Sequence, residues 1–313
     1  MVLLLVGVAS AGLVALQTRP TAPEARVQSE QVFQSGIEVV NVTATVTDEN
    51  GRLIGDLDRD AFTIFENSDQ QTITQFLRGR LPVSLGIVLD VSDSMRGQRM
   101  ADVRFALQRF VTDLLEPTDE VFVITFNHAP ELITPWTSPP TDVGQPLDGV
   151  RPFGGTAIYD AMAEAIPLFR TRAHQRAAVL LISDGSDTAS DAHVRDIRRL
   201  LRRSDAFVYA IAIDDEERRP INDRVNEFTL REMTDESGGY TEVVRSIDDL
   251  APATARIADE LNQQYLLGYS PATAADDTFR AIRVRVARDG YTVRSRKGYT
   301  AVPGTERRRA PRR

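Results

Sequence analysis

The sequence predicts an α/β protein: a doubly wound, mostly parallel sheet with a flanking antiparallel β module built from N- and C-terminal segments. Three observations predict it. Between Pro82 and Gln264, nearly continuous apolar runs alternate with amphipathic stretches, as doubly covered parallel strands and their crossover helices do. Before and after that region, short segments alternate apolar and polar residues with period two, the pattern of half-buried strands. The 313 residues are 42% hydrophobic and 26% charged, enough apolar side chain for a core and for roughly two domains.

Each element follows in order. Residues 1–18 carry no charged side chain. A helix of that length spans about 27 Å, marginal for a bilayer core of about 30 Å. The small residues Ala9, Ser10 and Ala11 suit a secretory signal, and an uncleaved membrane anchor is the alternative. Residues 19–36 are polar and contain prolines, as a linker does. In the N-terminal β segment, 37–81, Val40, Val42, Ala44 and Val46 alternate with polar residues, and Asn50-Gly51 marks a tight turn. Strands are expected at 61–66 and 72–77, around the turn-rich Asn67-Ser68-Asp69. The α/β domain, 82–263, has apolar strands at 83–89, 121–126, 177–182 and 206–213. Its helices show in the spacing of Met100, Val103, Leu107, Phe110, Val111 and Leu114, and again at 157–169 and 192–201. The C-terminal β segment, 264–303, alternates Ile282, Val284 and Val286 with arginines and turns at Asp289-Gly290. A basic tail, 304–313, ends the chain. Neither β segment alone makes a secure core. Together they are expected to close a sandwich interrupted by the α/β domain.

Composition excludes several chemistries. The chain has no cysteine, so disulfides, thiol nucleophiles and Cys-based metal sites are out. Its three histidines lie far apart and form no zinc-binding spacing. Lys297 is the single lysine and is followed by Gly298, so no Walker-type phosphate loop can be written. A net charge of −8 argues against nucleic acid as a partner.

The first apolar strand of the α/β domain runs into Asp90-Val91-Ser92-Asp93-Ser94-Met95. In a doubly wound sheet, the loops beyond the strands' carboxyl ends bind ligands. One carboxylate and two hydroxyls, each two residues apart, place oxygens on one side of a tight loop, and hard divalent cations take oxygen ligands. Gly154-Gly155-Thr156 opens a helix and adds a hydroxyl. Ser183-Asp184-Gly185 ends a strand and adds a second carboxylate. Asp90, Ser92, Ser94, Thr156 and Asp184 thus come from three loops that can share one sheet edge. A strand-end Asp or Ser also serves as a helix cap, and Asp93, Asp160 and Asp187 read that way.

These five residues, in this order and spacing, resemble the complete metal-ion-dependent adhesion site of von Willebrand factor type A domains. The resemblance covers about residues 82–264 and implies a Rossmann-like fold. It also implies a Mg²⁺ or Mn²⁺ ion held directly by Ser92, Ser94 and sometimes Thr156, with Asp90 and Asp184 acting partly through water. The stretch from Val42 to Asp48, with Gly51 and Phe62, is similar to the opening of a bacterial VWFA-related family common in acidobacteria. So are Tyr265-Leu266-Leu267-Gly268-Tyr269 and Arg296-Lys297-Gly298-Tyr299.

The function expected is a non-enzymatic, exported module, periplasmic, secreted or membrane-anchored through its N-terminal segment. Its metal would engage a carboxylate on a partner protein. Two alternatives stand beside it: an envelope assembly component with a vestigial metal site, and a metal-dependent phosphatase. The phosphatase chemistry wants a second acid two residues after Asp90, where this chain has Ser92. Asp90 is expected at the sheet's exposed carboxyl edge rather than in the core. Its replacement should then spare the fold, and metal removal should shift stability modestly.

Overall fold

The computed structural model describes residues 39–139, 144–184, 186–214 and 227–302. The expected signal or anchor, the linker and the basic tail lie outside the described residues. Among the described residues, no helix is long and apolar enough to cross a membrane.

The first strand, β1 (Val40–Thr47), buries Val40, Val42, Ala44 and Val46. Next come β2 (Phe62–Glu66), β3 (Asp69–Gln71) and β4 (Ile73–Leu77). Where one strand was expected at 72–77, the chain makes two short ones on either side of Thr72. Asn67 takes a positive φ of 55°, which tightens the turn and folds β3 straight back onto β2. Ile73 then drops its side chain into the core, and β4 leaves for a different sheet.

The α/β domain begins with β5 (Val83–Asp90), buried at every residue, and α1 (Gln98–Arg109), which loosens into a π turn at Phe110–Leu114. It continues through β6 (Glu120–Phe126), β7 (Pro130–Thr137), α2 (Gly144–Asp148), α3 (Ile158–Leu168) and β8 (Arg176–Ser183). It closes with α4 (Val194–Arg202), β9 (Phe207–Ile213), α5 (Glu227–Ser237), β10 (Thr241–Val244) and α6 (Leu250–Gln263). The six-stranded sheet runs β10-β9-β8-β5-β6-β7. All neighbours are parallel except β7, which lies antiparallel on β6. β7 has no clear apolar alternation, and it contains Pro130 and Pro135. A sheet tolerates proline at an edge, which is where β7 sits. At the centre, Gly86 lets the Phe122 ring lie against β5: a Cβ there would meet the ring at 2.3 Å.

Four strands complete the chain: β11 (Tyr265–Tyr269), β12 (Phe279–Val286), β13 (Thr292–Ser295) and β14 (Gly298–Thr300). They interleave with the N-terminal strands in two sheets, β13-β1-β11-β4 and β14-β12-β2-β3. Val42, Ala44, Ile64, Leu267, Ile282 and Val284 fill the space between them. The flanking antiparallel module is therefore built from both chain segments.

A polar seam joins this module to the amino ends of the parallel strands. Arg176, the first residue of β8, donates to the Leu81 carbonyl and to Gln264 Oε1, each at 2.7 Å, and to the Leu261 carbonyl. Glu260 on α6 accepts from Thr45 Oγ1 at 3.0 Å, from the Tyr209 hydroxyl at 2.8 Å and from Arg294. The opposite pole of the sheet, at the strands' carboxyl ends, carries Asp90, Ser183 and their loops.

Candidate metal centre

The site is built where β5 and β8 end side by side. These strands pair in parallel as far as Leu89 opposite Ile182, so Asp90 and Ser183 emerge together. Ser183 donates its hydroxyl to Asp90 Oδ2 at 2.5 Å, and the Ser92 amide donates to Asp90 Oδ1 at 2.8 Å. Ser92 Oγ and Ser94 Oγ lie 3.0 Å apart, and Ser94 Oγ donates to Asp184 Oδ1 at 2.6 Å. Four of the five expected residues thus form one linked set of side-chain oxygens.

Thr156 arrives on a third loop. Gly154 adopts φ 79°, a conformation that suits glycine, and its carbonyl accepts the Asp93 amide at 3.1 Å. The Phe153 amide reaches the Val91 carbonyl at 3.0 Å, and the Ala157 amide reaches the Asn127 carbonyl at 2.6 Å. These bonds hold the loop against the ends of β5 and β6. The Thr156 amide donates to Thr188 Oγ1 at 3.0 Å, and its carbonyl accepts the Thr188 and Ala189 amides. Among the described residues, no hydrogen bond links the Thr156 hydroxyl to the other four.

Asp90 corrects an expectation. It is fully buried rather than exposed at the sheet edge, because the loops after β5, β6 and β8 fold over it. Burial pushes its carboxyl up to about 7, and the neighbouring charge of Asp184 adds to the rise. Asp184 is raised as well, first by burial, and the Ser94 hydroxyl and Arg99 oppose the rise. Burial is thus the larger burden on Asp90, and the charge of Asp184 adds to it.

The donor set fits a hard divalent cation: carboxylate and hydroxyl oxygens, no nitrogen or sulfur. Among the described residues, no three His, Asp or Glu side chains converge as a metal cage. The fit therefore rests on serine and threonine hydroxyls alongside two carboxylates.

The other acids sit elsewhere. Asp187 Oδ2 accepts the Tyr159 amide in the first turn of α3 at 3.1 Å. Asp160 accepts the amides of Asp191 and Ala192. Asp93 turns outward and pairs with Arg96 at 2.6 Å. His128 is exposed, with its ring 5.5 Å from that of Phe153.

Two residues of the site escape a reading of the sequence. Ser183 adjoins Asp184 yet serves Asp90. Arg99, in the first turn of α1, pairs with Asp184 Oδ2 and donates to the Ser94 carbonyl at 2.9 Å. A signal for it exists: a cation at a helix amino terminus faces the unfavourable end of the dipole, so a buried one requires an anion nearby.

Residues 85–186 match the sequence model of the von Willebrand factor type A domain, a span that includes all five candidate residues. That stretch is a von Willebrand factor type A domain by its sequence pattern. The chain is 25% identical over 136 residues to inter-alpha-trypsin inhibitor heavy chain H2 of Mus musculus, a match covering 40% of this chain and 14% of that protein. It is 25% identical over 143 residues to heavy chain H4 of Homo sapiens, covering 42% of this chain and 15% of that protein. The match thus spans a small part of these relatives. Among solved structures, a von Willebrand factor type A protein from Catenulispora acidiphila superposes with a TM-score of 0.51 at 12% identity, over 88% of this chain and 77% of that one. Proximal thread matrix protein 1 from the mussel byssus gives 0.51 at 17% identity, over 67% of this chain and 51% of that one. At these identities the likeness is one of fold.

Proposed function

We propose that this chain is a non-enzymatic, extracytoplasmic protein-binding module whose A domain holds Mg²⁺ or Mn²⁺ and presents it to a carboxylate of a partner protein. The observation that carries this reading is the chain of contacts at 2.6–3.0 Å from Asp90 through the Ser92 amide, and from Ser92 Oγ through Ser94 Oγ to Asp184. Ser92, Ser94 and Thr156 would hold the ion, with Asp90 and Asp184 behind them. When bound, the ion supplies a positive charge with a coordination position open to an anionic ligand. The chain's own part is to fix the two hydroxyls on a rigid loop and to keep the carboxylates dry, where their charge acts at full strength. The phosphatase reading is weaker, because Ser92 occupies the position two residues after Asp90 where that chemistry wants an acid. Lys297 belongs to the β module at the amino pole, a strand length of roughly 26 Å away.

Calorimetry with Mg²⁺ and Mn²⁺ tests the reading. Wild type should bind one ion, Asp90→Asn should bind none, and Ser92→Ala should bind more weakly than wild type. Retention of partners from a native envelope extract should require Mg²⁺ and vanish in EDTA. Equal affinity in wild type and Asp90→Asn would show that the five residues are capping groups.

A further inference from the structure

Arg99 stands where an arginine gains least from its helix. It is in the first turn of α1, among the unpaired amides that carry the positive end of the dipole, and no acidic residue shares that turn. Its side chain is 10% exposed, and that of its partner Asp184 is 1% exposed. A desolvated charge is held only where fixed partners compensate it. Here they include Asp184 Oδ2 and the Ser94 carbonyl. Both belong to the candidate site, and Asp184 Oδ1 simultaneously holds the Ser94 hydroxyl. Arg99 thereby sets the orientation of Asp184 and of the second serine of the motif at once.

Charge counting shows what this does. With both acids ionised, Asp90, Asp184 and Arg99 sum to −1. A divalent cation brings the site to +1, and one carboxylate from outside neutralises it. Without the guanidinium the two acids alone would cancel the ion, leaving no net charge for a ligand to answer. In a dry site such differences act over several ångströms.

We propose that Arg99 is a positioning residue that determines specificity. It weakens the site's hold on the divalent ion and leaves on the bound ion the net charge that selects a carboxylate ligand. This rests on the metal reading above. It makes ion and carboxylate mutually reinforcing: each binds better once the other is present, by the reciprocity of linked equilibria.

The test uses the full chain with Mn²⁺ as the ion and acetate as the carboxylate. Mn²⁺ affinity is read by electron paramagnetic resonance, and acetate binding to the loaded protein by water-proton relaxation. Arg99→Gln should bind Mn²⁺ at least tenfold more tightly than wild type and acetate at least tenfold more weakly. Arg99→Lys, which keeps the charge, should stay within about threefold of wild type on both. Arg99→Met repeats the neutral arm if the glutamine variant fails to give a wild-type circular dichroism spectrum. Opposite shifts support the proposal, since a purely structural role would weaken both ligands together. Unchanged affinities, or two shifts in the same direction, overturn it while leaving the metal reading intact. No Mn²⁺ on any of the proteins overturns both.

Discussion

The two poles of the parallel sheet both bury charge, and they balance it differently. At the amino pole, Glu260 has one guanidinium, from Arg294, and two neutral hydroxyl donors, from Thr45 and Tyr209. Glu66, inside the sandwich, has the same kind of shell: Arg280 with the hydroxyls of Tyr269 and Tyr299. Each acid there has a cation of its own. At the carboxyl pole, Arg99 pairs with Asp184, while Asp90 is held by neutral donors, the Ser183 hydroxyl and the Ser92 amide among them. The amino pole is closed on itself and joins two modules. Among the described residues, no cation pairs with Asp90 at the carboxyl pole, which is what the proposed metal reading requires.

Breaking the closed pole should produce the largest effect. Glu260→Ala would take the anion from Arg294, which stays 29% exposed, and would leave the buried hydroxyls of Thr45 and Tyr209 without their acceptor. A buried polar group left without its partner costs about 1–3 kcal/mol, and here there are two. Urea unfolding should show a loss of that size. Glu260→Gln, which keeps an acceptor for the hydroxyls, should lose less. A loss below about 1 kcal/mol for the alanine variant would mean that the seam does not hold the modules together.

Removing the charge at the open pole should have the opposite sense. In the metal-free protein, the folded-state pKa of Asp90 is raised from 3.8 to about 7, by burial first and then by Asp184. The folded chain therefore favours the protonated form. This contribution to stability is fully present below pH ~4 and is lost as pH rises through about 7. At about 1.4 kcal/mol per unit, the loss is on the order of 4 kcal/mol. Asp90→Asn imitates the protonated group: its carbonyl accepts the Ser92 amide and its amide donates to Ser183. In EDTA at pH 8 the variant should be more stable than wild type by a few kcal/mol, and at pH 4 the two should converge. The measurement is denaturant unfolding across that window. Parallel pH profiles would show that Asp90 is comfortable as an anion without metal. Above pH 7, metal removal is expected to lower stability by more than a modest amount, since it leaves Asp90 buried as an anion.

How much of this was legible follows from which forces act locally. β5, β8 and β9 each carry a long apolar run, so their burial on both faces is written in consecutive residues. The D-x-S-x-S loop and Asp184 are legible because strand ends in a doubly wound sheet converge by topology. β7 is not, since an edge strand with two prolines carries little apolar pattern. The division of residues 69–77 between two sheets depends on tertiary pairing with β2 and β11, which no local pattern encodes. The burial of Asp90 is illegible for a similar reason: its neighbours at the ends of β6 and β8, Phe126 and Ser183, lie 36 and 93 residues further along. Arg99 was passed over because a basic residue in a surface-like helix turn looks solvated until Asp184 is brought beside it.

The smallest effect belongs to the acid that lies inside the motif but outside the site. Asp93 is flanked by Ser92 and Ser94, yet its side chain is 60% exposed and pairs with Arg96, itself 65% exposed. Its role in the loop runs through the backbone, where its amide meets the Gly154 carbonyl at 3.1 Å, and any residue supplies that bond except proline. An exposed ion pair contributes little, about 0–0.5 kcal/mol. Asp93→Ala should therefore leave stability within about 0.5 kcal/mol of wild type. It should also leave Mn²⁺ affinity within about threefold, since a solvated charge is largely screened from a buried site. The same calorimetric titration that fails for Asp90→Asn checks this. A loss of metal binding in Asp93→Ala comparable to that in Asp90→Asn would mean that charge anywhere in the loop matters, and the contrast between buried and solvated acids would fall.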